Sequence, residues 1–423
     1  MSLAPRVAGF RLTSRVSLAM SARLALIALL LPAWAAAQTG DRPFTVSVVQ
    51  AFSADDNVLR LPRDIDPASV DGVSSRRDLI STTTLRAQYL NEISAQRINA
   101  WAEAKALRFS EHRQYDHLAW DVGARWNWEV GRQWYGLLSA QDRRFIASFG
   151  DQRTGQKSLT SVTDLRLDGG YRFTPRWSGI AGVESSQRRN GLQQLREADY
   201  RHTAYELGAR YDSGFGNDIA LLWRHVDGRY PNRQSIDGFG TPLQTAVDNG
   251  FSQDSLVLRL TYLPNDKSRI SGDIGLTRHR LSTLSERNFS GPTAQLAYSH
   301  TPSDAWLFES YLRRDLGAAE LINASFVNSL TLGGRLQWRP KGRLTVRGIA
   351  EVRRLSFDGD PGTVIGAFPV RRDRIRSLGL AVGWDVARNA SVWGEWRRDV
   401  RSSNFDAADF EADVLTVTGL LKF

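Results

Sequence analysis

Two sets of residues in this 423-residue chain have the types and spacing to do chemistry. One is the six histidines, His112, His117, His202, His225, His279 and His300. The other is a long series of acids and arginines that recur at even spacings. A histidine beside a serine or an aspartate would serve general-base or nucleophilic chemistry. Yet no G-x-S-x-G elbow, no H-E-x-x-H pair and no metal-ligand spacing occurs. His112, His117, His202 and His225 sit beside loops or strand ends, while His279 and His300 approach a loop and a turn. These are rim positions, although a Ser/His or Asp/His pair built across strands would leave no local trace. Gly214-Phe215-Gly216 and Asp237-Gly238-Phe239-Gly240 read as turn and loop punctuation, not phosphate cradles. The expectation is no enzyme, no cofactor and no metal.

The charged series is more informative. Its acids are Glu103, Asp121, Asp164, Asp168, Glu184, Glu206, Asp212, Asp273, Glu309, Glu351, Asp385 and Glu395. Its bases are Lys105, Arg125, Arg166, Arg172, Arg210, Arg259, Arg313, Arg335, Arg347, Arg353 and Arg397. Each falls on the polar side of a two-residue alternation. As a functional set they would line a wet conduit and bind or steer a polar polymer. The plainer reading is that they pair across neighbouring strands and keep the wall soluble. Planar guanidinium forks suit acidic sugars. Arg125, Arg166, Arg172, Arg210, Arg259, Arg335, Arg347, Glu103, Asp121 and Asp164 are the candidate substrate contacts.

The elements that must position these residues are strands. Leu118, Trp120, Val122, Ala124, Trp126, Trp128 and Val130 alternate with Ala119, Asp121, Gly123, Arg125, Asn127 and Glu129. A helix would scatter both sets round its circumference, so the period is two. Leu378, Leu380, Val382 and Trp384 alternate in the same way with Gly379, Ala381, Gly383 and Asp385. Short turns are expected at 129–133, 174–176, 213–217, 264–267, 301–304, 340–342 and 387–389. Longer polar loops fall at 150–160, 187–199, 227–249, 281–290, 315–324, 358–370 and 402–409. Short turns at one end and long loops at the other are the asymmetry of a transmembrane barrel. About 18 strands (16–18) fit, an even number that returns the chain to the periplasm. Tyr171, Trp177, Tyr211, Tyr262, Trp306, Trp338 and Trp384 flank the short turns, as an aromatic girdle would.

Residues 1–37 read as a signal peptide: four arginines, an apolar run from Leu24 to Leu31, and an A-x-A site before Gln38. A start at Met20 would give a more compact leader. Residues 38–423 then form one barrel domain with 51 basic and 45 acidic residues and no cysteine. So mild and dispersed a charge argues against a nucleic-acid partner. The absence of thiols excludes an acyl anchor, disulfides and thiolate metal sites. The last stretch puts Leu415, Val417, Gly419, Leu421 and Phe423 on one face, as a closing strand against outer-membrane lipid would. It is also similar to the terminal segment that the barrel-assembly machinery of Gram-negative cells recognises.

A strand from Phe44 to Ser53 is followed by Asp55-Asp56-Asn57-Val58-Leu59-Arg60-Leu61-Pro62. Ala87-Gln88-Tyr89-Leu90, the region from Phe145 to Arg153, and the hairpin Gly170-Tyr171-Arg172-Phe173-Thr174-Pro175-Arg176-Trp177 come later. Together these resemble the EpsL-like outer-membrane barrels of exopolysaccharide operons that accompany exosortase genes. The resemblance implies export of an extracellular polysaccharide through the outer membrane, in company with periplasmic export components. Two other readings of the same barrel stay open: a general diffusion porin, and a barrel hydrolase or anchor of a secretion complex.

Overall fold

A computed structural model describes residues 43–70, 73–147, 149–150, 156–232, 235–236, 242–243, 250–282, 288–318, 326–358 and 370–423. The expected leader, the 237–240 piece and much of the expected loops at 227–249, 281–290, 315–324 and 358–370 lie outside these residues.

The first nine strands are β1 (Phe44–Asp55), β2 (Asp78–Ile93), β3 (Gln96–Phe109), β4 (His117–Val130), β5 (Trp134–Ile146), β6 (Leu159–Arg172), β7 (Trp177–Asn190), β8 (Tyr200–Asp212) and β9 (Asp218–Arg229). A small hairpin of β10 (Ser235–Ile236) and β11 (Pro242–Leu243) stands in the next loop. Then follow β12 (Gly250–Asn265), β13 (Ser268–Leu281), β14 (Phe289–Ser303), β15 (Trp306–Ala318) and β16 (Phe326–Lys341). The chain ends with β17 (Leu344–Asp358), β18 (Arg371–Ala387), β19 (Ala390–Ser403) and β20 (Phe410–Lys422).

Leaving aside the small hairpin, each strand pairs with the next, and β9 pairs with β12, giving one 18-stranded sheet. β1 pairs with both β2 and β20, so the sheet closes on itself and no edge is left unpaired. The alternation seen in the sequence sets its two faces. Leu118, Leu138, Leu207, Leu221, Leu276, Leu332 and Leu380 are each about half or more exposed on the outer side. Their register partners across neighbouring strands share that side, such as Trp126 with Leu138 and Leu207 with Trp223. An apolar belt of this extent is the surface of a protein solvated by lipid tails. At the short-turn end the expected girdle is present. Trp134 meets Tyr171 at 4.7 Å between ring centres, Trp177 meets Tyr211 at 5.0 Å, and Trp306 stacks on Trp338 at 5.5 Å.

The strands are longer, and several short turns tighter, than the sequence suggests. The expected turns at 264–267, 301–304, 340–342 and 387–389 contract to two residues each, with a register shift in the strand just before. A bulge absorbs an extra residue while the ladder continues, so proline and polar residues in these strand ends do not break pairing. The 213–217 turn matches expectation, with Gly214 and Gly216 at φ of +84° and +77°.

Candidate permeation pathway

The inner wall is built by the residues that alternate with the lipid belt. All ten candidate contacts lie on this face by strand parity, and most are held by neighbours. Arg166 bonds Asp168 at 2.6 Å and Glu184 at 3.1 Å, and lies 3.5 Å from Glu206. Arg224 lies 3.2 Å from Glu184 and 3.6 Å from Glu206. Arg259 bonds Asp273 at 3.0 Å and reaches Glu206 at 3.4 Å. Glu206, only 7% exposed, is thus shared by three arginines drawn from β6, β9 and β12. His202 approaches the same cluster, 3.7 Å from Glu184.

The other candidates follow the plainer of the two readings. Arg172 pairs with Glu129, Arg335 with Glu309 at 3.1 Å, and Glu103 with Lys105 at 2.7 Å. Arg210 sits between Asp212 and Asp218, 3.5 Å from each. Asp164 takes hydrogen bonds from Arg143 and Ser186, and Asp121 takes them from Trp101 and Gln141. Two arginines differ. Arg125 is exposed and has no ion-pair partner among the described residues, and Arg347 bonds the amide oxygen of Gln337 at 2.9 Å with no ion-pair partner among those residues.

The wall also carries aromatic rings that the charge pattern did not announce. The ring of Trp101 covers the place where a Cβ on Gly123 would stand, 2.4 Å away. Tyr135 lies over Gly170, Tyr311 over Gly333 and Trp393 over Gly383 in the same manner. Each ring lies along the wall across a directly paired or adjacent glycine on the next strand. The Arg172 guanidinium stands 4.5 Å over the Tyr135 ring and that of Arg347 stands 4.3 Å over Trp393. The clue lay in the sequence as glycines on inward positions, but it becomes legible only with the strand register.

At the long-loop end the β1–β2 connection folds over the mouth. Val58, Leu59, Leu61 and Val73 form a small core with Phe109 and Tyr115, against Ile80, Leu107, Ile146 and Phe149. The Asp55–Pro62 stretch is the spring of this lid. Asp55 accepts hydrogen bonds from the Asn57 amide and from Arg60, which adopts φ of +56°. Asn57 donates to the carbonyls of Leu61 and Glu411, each at 2.8 Å, and accepts from the Leu61 amide. The Arg76 guanidinium gathers the carbonyls of Leu61, Pro62, Arg63 and Ile65. Gly150 of the β5–β6 connection is tied to a distant strand: Arg401 on β19, 2% exposed, donates to its carbonyl at 2.9 Å and pairs with buried Asp373. Five strands of the closed sheet, β20 and β1 to β4, separate the two ends of that bond.

The histidines divide otherwise than expected. His112 is no open rim residue: it is fully buried in the lid core, 2.7 Å from Asp78 and stacked on Tyr115. It had to be drawn inward because the Asp78 carboxylate also receives the amides of Ser110, Glu111 and His112. His279 is sandwiched between Phe251 and Phe289. His225 bonds Asp254 at 2.8 Å near the long-loop end. Among the described residues no group of three or more metal-ligating side chains converges.

No protein-family model and no curated protein sequence matches the chain. Solved structures do. Pseudomonas aeruginosa OccK9 (OpdG) is 12% identical, with 90% of this chain and 98% of that one covered and a TM-score of 0.47. Acinetobacter baumannii OccAB3 is 10% identical, with 90% and 99% covered and a TM-score of 0.45. The outer membrane protein opdK of Pseudomonas aeruginosa is 12% identical, with 90% and 99% covered and a TM-score of 0.43. Closed, antiparallel and apolar outside, this chain is an integral outer-membrane β-barrel.

Proposed function

We propose that the barrel conducts an extracellular polysaccharide across the outer membrane. The observation that carries this reading is the pairing of wall-hugging aromatic rings with glycines, beside arginines and carboxylates. A sugar ring has an apolar face of C–H bonds and a rim of hydroxyls. A wall that offers flat π faces flanked by charged donors and acceptors meets both at once. The resemblance to the EpsL-like barrels points to the same substrate class. Arg125 and Arg347, without carboxylate partners among the described residues, give such a wall a preference for acidic units. The reading involves no cofactor and no covalent step.

The decisive experiment is deletion in the native host with surface and periplasmic polymer measured separately. Loss of surface polysaccharide with polymer retained inside is the expected result. Normal surface polysaccharide would remove the export reading and leave a general diffusion porin. In planar bilayers, charged oligosaccharides should block the current of the purified barrel, and Trp101→Ala with Trp393→Ala should weaken the block several-fold.

A further inference from the structure

The outer face carries a second charged feature, unconnected with the lumen. Arg314 on β15, Arg354 on β17 and Arg372, Arg374 and Arg376 on β18 all point outward, because they share parity with Leu312, Val352 and Leu378. The register runs straight through them: Arg314 opposite Leu330, Leu330 opposite Arg354, Arg354 opposite Arg374. Like charges facing each other across a strand pair repel. Some other arginines of the outer face are neutralised within the protein. Arg398 pairs with Asp413 and Glu411 at 3.0 Å, Arg108 with Asp116 at 3.0 Å, and Arg280 lies 3.7 Å from Asp254. None of the five on β15, β17 and β18 has an acidic partner among the described residues.

Their height is specific as well. On β18 the outward apolar run Leu378, Leu380, Val382, Trp384 and Val386 is about 20 Å tall, at about 3.3 Å per residue and a tilt near 40°. The arginines begin at the next outward position toward the long loops. They stand where the hydrocarbon ends and the headgroups of the outer leaflet begin. Among them lies a depression of about 350 Å³ whose lining includes Leu330, Arg354, Ser356, Arg372 and Arg374, and also Asp373, whose carboxylate is already engaged by Arg371 and Arg401.

We propose that this patch is a binding site for the phosphate groups of an anionic glycolipid in the outer leaflet, with the acyl chains lying down the apolar belt below it. A phosphate monoester offers three acceptor oxygens and close to two negative charges, which matches arginine forks whose one neighbouring carboxylate, Asp373, is bound to Arg371 and Arg401. The headgroup supplies the counter-charge that Arg354 and Arg374 lack in the sheet, and anionic membrane surfaces attract each such residue. The site is independent of what passes through the lumen.

The test uses the full barrel in mild detergent with purified bisphosphorylated lipid A, read by native mass spectrometry. Three further arms use lipid A stripped of both phosphates, inorganic phosphate alone, and the Arg354→Gln, Arg372→Gln, Arg374→Gln triple variant. Retention of lipid A should fall at least tenfold for the stripped lipid and for the triple variant. A turn variant at the opposite end, Arg388→Gln, should retain it fully. Equal retention of the stripped lipid, or by a folded triple variant, would overturn the site. So would displacement of the lipid by millimolar inorganic phosphate, which would make the patch a site for a free anion only. The stripped-lipid arm uses unaltered protein and decides the matter even where the triple variant fails to assemble.

Discussion

Glu206 is the residue on which the inner wall most depends, because three guanidinium groups share its one buried carboxylate. Glu206→Gln keeps the volume and removes the charge. It should cost about 1.5–3 kcal/mol, the usual worth of hydrogen bonds to a charged group, read as a lower unfolding midpoint in detergent. The three arginines, each still beside another carboxylate but sharing one negative charge fewer, should also move bilayer selectivity towards anions, and an unchanged reversal potential would show that the cluster lies off the conducting path. Gly123 teaches the opposite lesson. From sequence alone its inward position suggests room for Gly123→Arg, since a lumen tolerates charge. The Trp101 ring already occupies the site of a Cβ, so this substitution must push the ring off the wall. Gly123→Arg should therefore impair assembly, visible as loss of the heat-modifiable folded band, whereas outward Gly394 has open space beside it and Gly394→Ala should assemble normally. Charge and parity were legible in one strand. The ring over the glycine was not, because it is a relation between two strands whose register no local pattern specifies.

Among the elements, the strands were the readable part. A strict two-residue period over Leu118–Val130 or Leu378–Asp385 has no helical explanation, and the short-turn asymmetry ordered the rest. Outward charge should be costly on those strands. Leu380→Arg or Val122→Arg places a cation near the bilayer midplane at about 2–4 kcal/mol, and a pulse-chase assembly assay should show a reduced folded fraction for both. Normal assembly would mean that the faces are inverted. The lid was the unreadable part. Val58, Leu59 and Leu61 look like stray apolar residues in a polar loop until Phe109 and Tyr115 arrive from another connection to cover them. Asn57→Ala removes two donated hydrogen bonds and one accepted bond at the lid's anchor, and Arg401→Ala frees the Gly150 loop. Either change should raise single-channel conductance. Conductance equal to the parent would show that current already bypasses the lid.

For the whole molecule, the orientation follows from the alternation of turns and loops. Tags within 227–249 or 358–370 should be labelled on intact cells, and tags at 174–176 or 340–342 only after permeabilisation; the reverse pattern would turn the barrel over. Closure has a consequence for how the chain comes together. The seam joins the first strand to the last: Val48 pairs with Leu421, Phe52 with Val417, and Phe423 exchanges both backbone hydrogen bonds with Val46. The lid is riveted across that same seam, Asn57 and Arg63 to Glu411 and Asp56 to Asp413, between residues more than 340 positions apart. Loop closure over such distances is the slowest event in a chain of otherwise local hairpins. The lid can therefore lock only after the final strand has docked, and once locked it holds shut the one junction through which the barrel could unzip. The lid is in this sense the clasp of the barrel: it makes opening of the mouth and opening of the wall two outcomes of a single release.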